Sequence, residues 1–145
     1  MSKRRLLHPH SGLEVFGVLP ILRLTPGFQT PISPIFLHEG RHAGRHRGFG
    51  ARHILAEHRQ EVMRLVRETN CPDDLLLAAL YVAKLLLPRT PLYYEAQSYR
   101  HTRISAVRIN TGTCILQFED EQEPYWHVIT AFERRQGRGT EIARI

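Results

Sequence analysis

Cysteine, lysine and long apolar runs are all scarce in this chain of 145 residues, and each scarcity removes a class of protein. The two cysteines, Cys71 and Cys114, form no C-x-x-C pair, so neither a zinc ribbon nor a disulfide framework is suggested and a reducing compartment is compatible. The longest apolar run, LLLAALYVAKLLL at 75–87, is broken by Lys84 and is shorter than the roughly 20 residues that cross a bilayer. It reads as a buried helix. The N-terminus, MSKRRLLHPHSG, lacks the apolar core of a secretory signal. A cytoplasmic protein with no membrane partner is therefore expected. Lysine is almost missing: of 20 basic residues only Lys3 and Lys84 are lysines, and arginine is the side chain whose planar fork matches phosphate.

What is present is positive charge in one half. The formal net charge is +6, and residues 1–70 hold 11 basic against 5 acidic residues while residues 71–145 hold 9 of each. Nucleic acid is the first partner this suggests, or an acidic protein that imitates it. The size suits one domain, expected over 13–133, with a flexible N-terminus at 1–12 and a basic tail at 134–145.

Residues 13–24 are apolar and partly β-branched, and the proline-rich TPGFQTPISP that follows reads as an irregular loop. IFLHEGRHAGRHRG at 35–48 begins as a short strand and passes into a loop of Gly, His and Arg. From Gly50 to Thr69, Ala51, Ile54, Leu55, Val62, Leu65 and Val66 recur at three- and four-residue steps, one face of an amphipathic helix. Pro72 stops it, and Asp73 can cap a second helix over the apolar run. Beyond Pro91 the period changes. Segments 92–100, 103–110, 113–119 and 125–133 are rich in β-branched and aromatic residues and are separated by turn signals, among them NTG and the acidic EDEQEP. The fold expected is α+β: an N-terminal extended segment and two helices followed by a four-stranded antiparallel sheet.

The stretch RGFGARHILAEH at 47–58 reads as a site, since a glycine-flanked phenylalanine leading into a helix with two histidines is costly as scaffold. Histidine gives and takes protons near neutral pH. Metal-free RNA cleavage needs one group to take the 2'-hydroxyl proton, another to protonate the leaving oxygen, and cationic or hydroxyl donors on the phosphate. His53 lies in the first helical turn, where free N–H groups favour an anion. His58 falls about 140° away around a straight helix, in the apolar stripe, so one of the two is expected to be structural. His42, Arg45, Arg47 and Arg52 would face phosphate from the loop and first turn. Arg103 and Arg108 would serve as phosphate clamps and Thr130 as a positioning hydroxyl, although for each of Arg100, Arg103 and Arg108 alone the solvated reading is favoured. Alternation places Thr130 with Trp126, Val128 and Phe132, and His127 on the other face. His38, His42 and His46 are four apart, as metal ligands on a helix would be, but Gly40, Gly44 and Gly48 argue against a helix and the intervening arginines repel a cation.

These residues give the chain a family likeness. The run from Ile35 to His58, the four strand segments and the closing WHVITAF resemble the phage- and toxin-associated members of the barnase/EndoU/colicin/RelE-like (BECR) ribonuclease superfamily. Gly50, His53, Ile54 and His58 fit its G-x-x-H-I-x-x-x-H helix element, Thr130 and Phe132 its strand element, and Gly40 and His42 a looser lead-in, over about residues 35–133. The resemblance implies a helical section followed by a four-stranded sheet, metal-independent RNA cleavage without a cofactor, and neutralisation by an acidic immunity protein or antitoxin. The competing expectations are a non-catalytic nucleic-acid-binding or virion-interaction module, and a metal-dependent hydrolase built on histidines 38, 42 and 46.

Overall fold

A computed structural model of the chain describes residues 2–24, 27–45, 47–66, 73–87, 92–95, 103–108, 111–134 and 141–144. Among these, strands precede the helices as well as follow them. In chain order they are β1 (Ser2–Arg5), β2 (Val15–Leu19), β3 (Leu22–Leu24), β4 (Phe28–Thr30), β5 (Ser33–Phe36), β6 (His38–Gly44) and β7 (Arg47–Phe49), then the helices α1 (Gly50–Val66) and α2 (Asp74–Leu85), then β8 (Leu92–Glu95), β9 (Arg103–Arg108), β10 (Gly112–Glu119), β11 (Tyr125–Phe132) and β12 (Glu141–Arg144).

The expected fold is corrected on this point. The sheet is not four-stranded and does not simply follow the helices: among the described residues it has seven strands in the order β12-β8-β9-β10-β11-β5-β2. Its strands pair antiparallel except β5 and β11, which run parallel with Trp126 opposite Ile35 and His127 opposite Phe36. Among the described residues, more lie in strands than in helices. The proline-rich segment read as a loop supplies short strands instead, its prolines falling between them or, at Pro34, inside β5. A parallel partner some ninety residues away leaves no local trace, because only antiparallel neighbours can be joined by a tight turn. Two smaller sheets complete the architecture, β1-β6-β7 and β3-β4. Residues 2–5 of the segment expected to be flexible pair with β6, and Leu6 N–H donates to the Leu37 carbonyl. Residues 141–144 of the expected tail pair with β8.

One face of the large sheet carries Ile104, Ala106, Cys114, Leu116, Phe118, Trp126, Val128 and Ala131, which join the buried cluster that also holds Leu77, Ala78, Tyr81, Val82 and Leu85 of α2 and Ala51, Ile54, Leu55 and Val62 of α1. Helix α2 is nearly all apolar because most of its circumference is covered. Asp73 caps it, accepting a hydrogen bond from Leu75 N–H at 2.9 Å. No helix of the described residues is long and apolar enough to cross a membrane.

Candidate active site

The opposite face of the sheet is where polar side chains gather. Residues 117 and 127 are register partners on β10 and β11, as are 119 and 125, so Gln117, Glu119, Tyr125 and His127 share this face. Arg103, opposite Gln117 on β9, joins them. The β6–β7 hairpin closes over the group with His38, Gly48 and Phe49, and together with Glu121 and Ile129 these residues line a cavity of about 270 Å³.

Contacts inside the cavity form a chain. Arg103 Nε donates to Gln117 Oε1 at 2.9 Å, and Gln117 Nε2 donates to Glu119 Oε1 at 2.7 Å. The same carboxylate oxygen lies 3.0 Å from His127 Nε2. Glu119 is thereby held by a neutral amide and an imidazole. The His127 ring stands edge-on to His38 at 5.5 Å and to Phe49 at 5.7 Å between centroids. Burial draws the His127 pKa below its ordinary value, against the opposing pull of the Glu119 hydrogen bond and charge, so the ring is neutral at pH 7. Its Nδ1 is buried with no hydrogen-bond partner among the described residues. Burial also lowers the Arg103 pKa, with the Glu119 charge opposing. Tyr125 donates its hydroxyl to Glu121 at 3.0 Å, and burial first, then that bond, pushes its pKa up to about 12. It remains a hydrogen-bond donor across the physiological range.

Two glycines explain the hairpin's approach. Gly48 has φ +140, and a Cβ there would overlap the Arg41 carbonyl and lie 2.9 Å from His53 Nδ1. Gly50, with φ +80, lets the chain turn from β7 into α1 against the His38 carbonyl. The glycines around Phe49 are therefore required by a backbone crossing, and Phe49 is carried into the cavity wall.

The residues expected to act together are divided by the fold. Arg103 is in the cavity. His53, 3% exposed, sits behind Gly48, where its Nδ1 is 3.0 Å from His42 Nδ1. His58 is elsewhere: α1 is interrupted there (φ −132, ψ 28), its ring lies 5.6 Å from Phe132, and its Nδ1 is 3.3 Å from Glu61. The straight-helix angle between the two histidines does not hold across this kink. Arg45 and Arg47 are exposed on the hairpin. Arg52 is bound to Glu39 at 2.7 Å, and Arg108 lies at the end of β9. His46 and Arg100 lie outside the described residues, and His38 and His42 sit on a strand rather than a helix.

Thr130 changes sides. Thr130 pairs with Ile115 and Val128 with Leu116, so Ile129 has no partner across the ladder and a β-bulge shifts the alternation. Thr130 and Phe132 consequently share the face of His127, and Trp126 and Val128 the opposite one. The Thr130 hydroxyl oxygen is buried without a hydrogen-bond partner among the described residues. Glu119, Glu121, Tyr125, Gln117 and His127 were not singled out from the sequence as site residues. The signal available was the period-two alignment of polar residues on both arms of the β10–β11 hairpin, obscured because EDEQEP also reads as a plain turn.

No family model, curated protein or solved structure matches this chain.

Proposed function

We propose that this protein is an endoribonuclease that cleaves RNA by attack of the 2'-hydroxyl on the neighbouring phosphorus, with the cavity under the β6–β7 hairpin as its active site and no metal ion in the chemistry. The observation that carries the reading is the Glu119–His127 pair, at 3.0 Å, beside the Arg103 guanidinium in one concave site. The resemblance of Gly50, His53, Ile54 and His58 to the BECR helix element suggests RNA as the substrate, but His53 and His58 lie outside this cavity and take no part in the proposed chemistry.

Glu119 takes the proton as the 2'-oxygen bonds to phosphorus, and His127, tied to it through Nε2 and with Nδ1 buried, holds the carboxylate in position. The bond from phosphorus to the 5'-oxygen then breaks, leaving a 2',3'-cyclic phosphate, and His38, the second imidazole on the cavity wall, supplies the proton to the departing oxygen. Arg103 and the Tyr125 hydroxyl stabilise the phosphate oxygens as charge builds. Exposed Arg41, Arg45 and Arg47 on the hairpin steer the flanking RNA. Two carboxylates at the cavity disfavour a phosphate left unpaired, so the arginines are required for binding as well as for the reaction. An acidic immunity protein or antitoxin that covers the same hairpin is the regulatory partner this charge distribution fits.

The test is cleavage of end-labelled tRNA and total RNA, with and without excess EDTA, by the wild type, Arg103→Gln, Glu119→Gln and His127→Asn, with His58→Ala as a comparison outside the cavity. Losing one stabilising donor is expected to slow cleavage by about 10²–10³. RNA left intact both with and without EDTA, equal cutting of DNA, or full activity in the cavity variants would sink the proposal. RNA shifted at low salt but never cut would instead identify a binding module.

A further inference from the structure

Behind the cavity wall lies a second cluster that the proposed chemistry does not use. His53 and Glu57 sit one turn apart on α1 and point the same way, with Nε2 4.0 Å from Oε1. His42 reaches them from β6, and its ring is stacked on His53 with centroids 5.2 Å apart and the two Nδ1 atoms 3.0 Å apart. One donor atom from each of the three residues can be chosen so that all lie within 4.8 Å of one another. The cluster joins two separate elements. It is also sheltered, because the side chains of His53 and Glu57 are only 4% and 13% exposed.

We propose that His42, His53 and Glu57 form a site for a divalent late-transition cation of the Zn2+ type, which clamps the β6–β7 hairpin onto α1. Imidazole nitrogen and carboxylate oxygen are the ligand types such ions take, and two histidines with one glutamate are a known protein ligand set for zinc. Ligand atoms about 2.0 Å from a tetrahedral ion lie about 3.3 Å apart, so the imidazoles separate slightly and Glu57 closes in. His42 is exposed and free to make that adjustment. Gly48 leaves the space beside His53 Nδ1 that any larger residue would fill. The nearby positive charge does not rule out the ion: Glu57 offsets one unit and Arg52 is already bound to Glu39. The fourth coordination position falls to water. The ion's role is to fix the hairpin that supplies Gly48 and Phe49 to the cavity, and the inference stands whether or not the protein cleaves RNA.

The experiment uses the full chain without a histidine tag, stripped with chelator and dialysed. Zn2+ is titrated by calorimetry, and Co2+ is followed by its visible spectrum. His42→Ala and Glu57→Gln are compared with wild type, because replacing the buried His53 risks the fold itself. The expected result is one Zn2+ per chain, affinity at least about tenfold weaker in each variant, tetrahedral Co2+ bands in the wild type, and a Zn2+-dependent rise in melting temperature that both variants lose. Absence of stoichiometric binding overturns the proposal. Equal affinity in wild type and both variants overturns it too, and would place the ion elsewhere, for instance at His8 and His10.

Discussion

Gly48→Ala tests the crossing on which both the cavity and the histidine pair depend. At φ +140 an L side chain is strained by about 1–3 kcal/mol. The new Cβ would also overlap the Arg41 carbonyl and approach His53 Nδ1 to 2.9 Å, and forcing extra volume into a packed site costs about 1–3 kcal/mol more. The sum is about 4 kcal/mol, a large part of the total stability of a domain this size. Gly12 supplies the control, since its φ is +72 and a Cβ there would meet nothing within 4 Å. Gly12→Ala carries only the backbone term, about 1 kcal/mol. At about 3 °C per kcal/mol, Gly48→Ala should melt about 12 °C below wild type and Gly12→Ala about 3 °C below. Thermal unfolding followed by circular dichroism reads both. Equal losses in the two variants would refute the close approach of β7 to β6 and α1, and with it the geometry of the cavity wall.

Stability should fall as pH drops below about 6.5, the ordinary histidine value. Burial lowers the folded-state pKa of His127, and of His8 as well, so in that window the unfolded chain binds more protons than the folded one and unfolding is favoured by acid. Urea midpoints between pH 7.5 and 5.5 measure the slope, and His127→Asn should flatten it; an unchanged slope would mean that His127 titrates normally. Tyr81→Phe should leave stability equal or raise it by about 1 kcal/mol, because it removes a desolvated hydroxyl. Tyr81 is fully buried and its hydroxyl has no hydrogen-bond partner among the described residues, so a clear loss on urea unfolding would reveal one.

Some of the site was legible in the chain. Arg103 stood out only as one of several strand arginines able to clamp a phosphate, each alone more often solvated, while the glycines around Phe49 announced a special backbone. His127 was visible only as a residue on the face opposite Thr130. That reading failed because one extra residue at Ile129 reverses the alternation, and a β-bulge has no reliable signature in a run such as HVITAF. Glu119 and Glu121 were hidden in a turn whose acidic composition has an ordinary explanation. His53 and His58 were already set apart by the angle a straight helix puts between them, and the break at His58 and the position of Gly48 decide the different surroundings they occupy.

The sequence by itself determined the local elements whose cause is local. The apolar spacing makes α1, Asp73 starts α2, and the β-branched segments after Pro91 make strands, because helix period, caps and alternation act over a few residues. It also determined the arginine-rich, lysine-poor character of the first half. The tertiary structure alone decided that β5 lies parallel to β11, that the N-terminal strand joins β6, and that a hairpin from residues 38–49 closes over Arg103, Glu119 and His127. Those contacts are chosen by the burial of whole faces against one another, and that free energy belongs to no single stretch of chain.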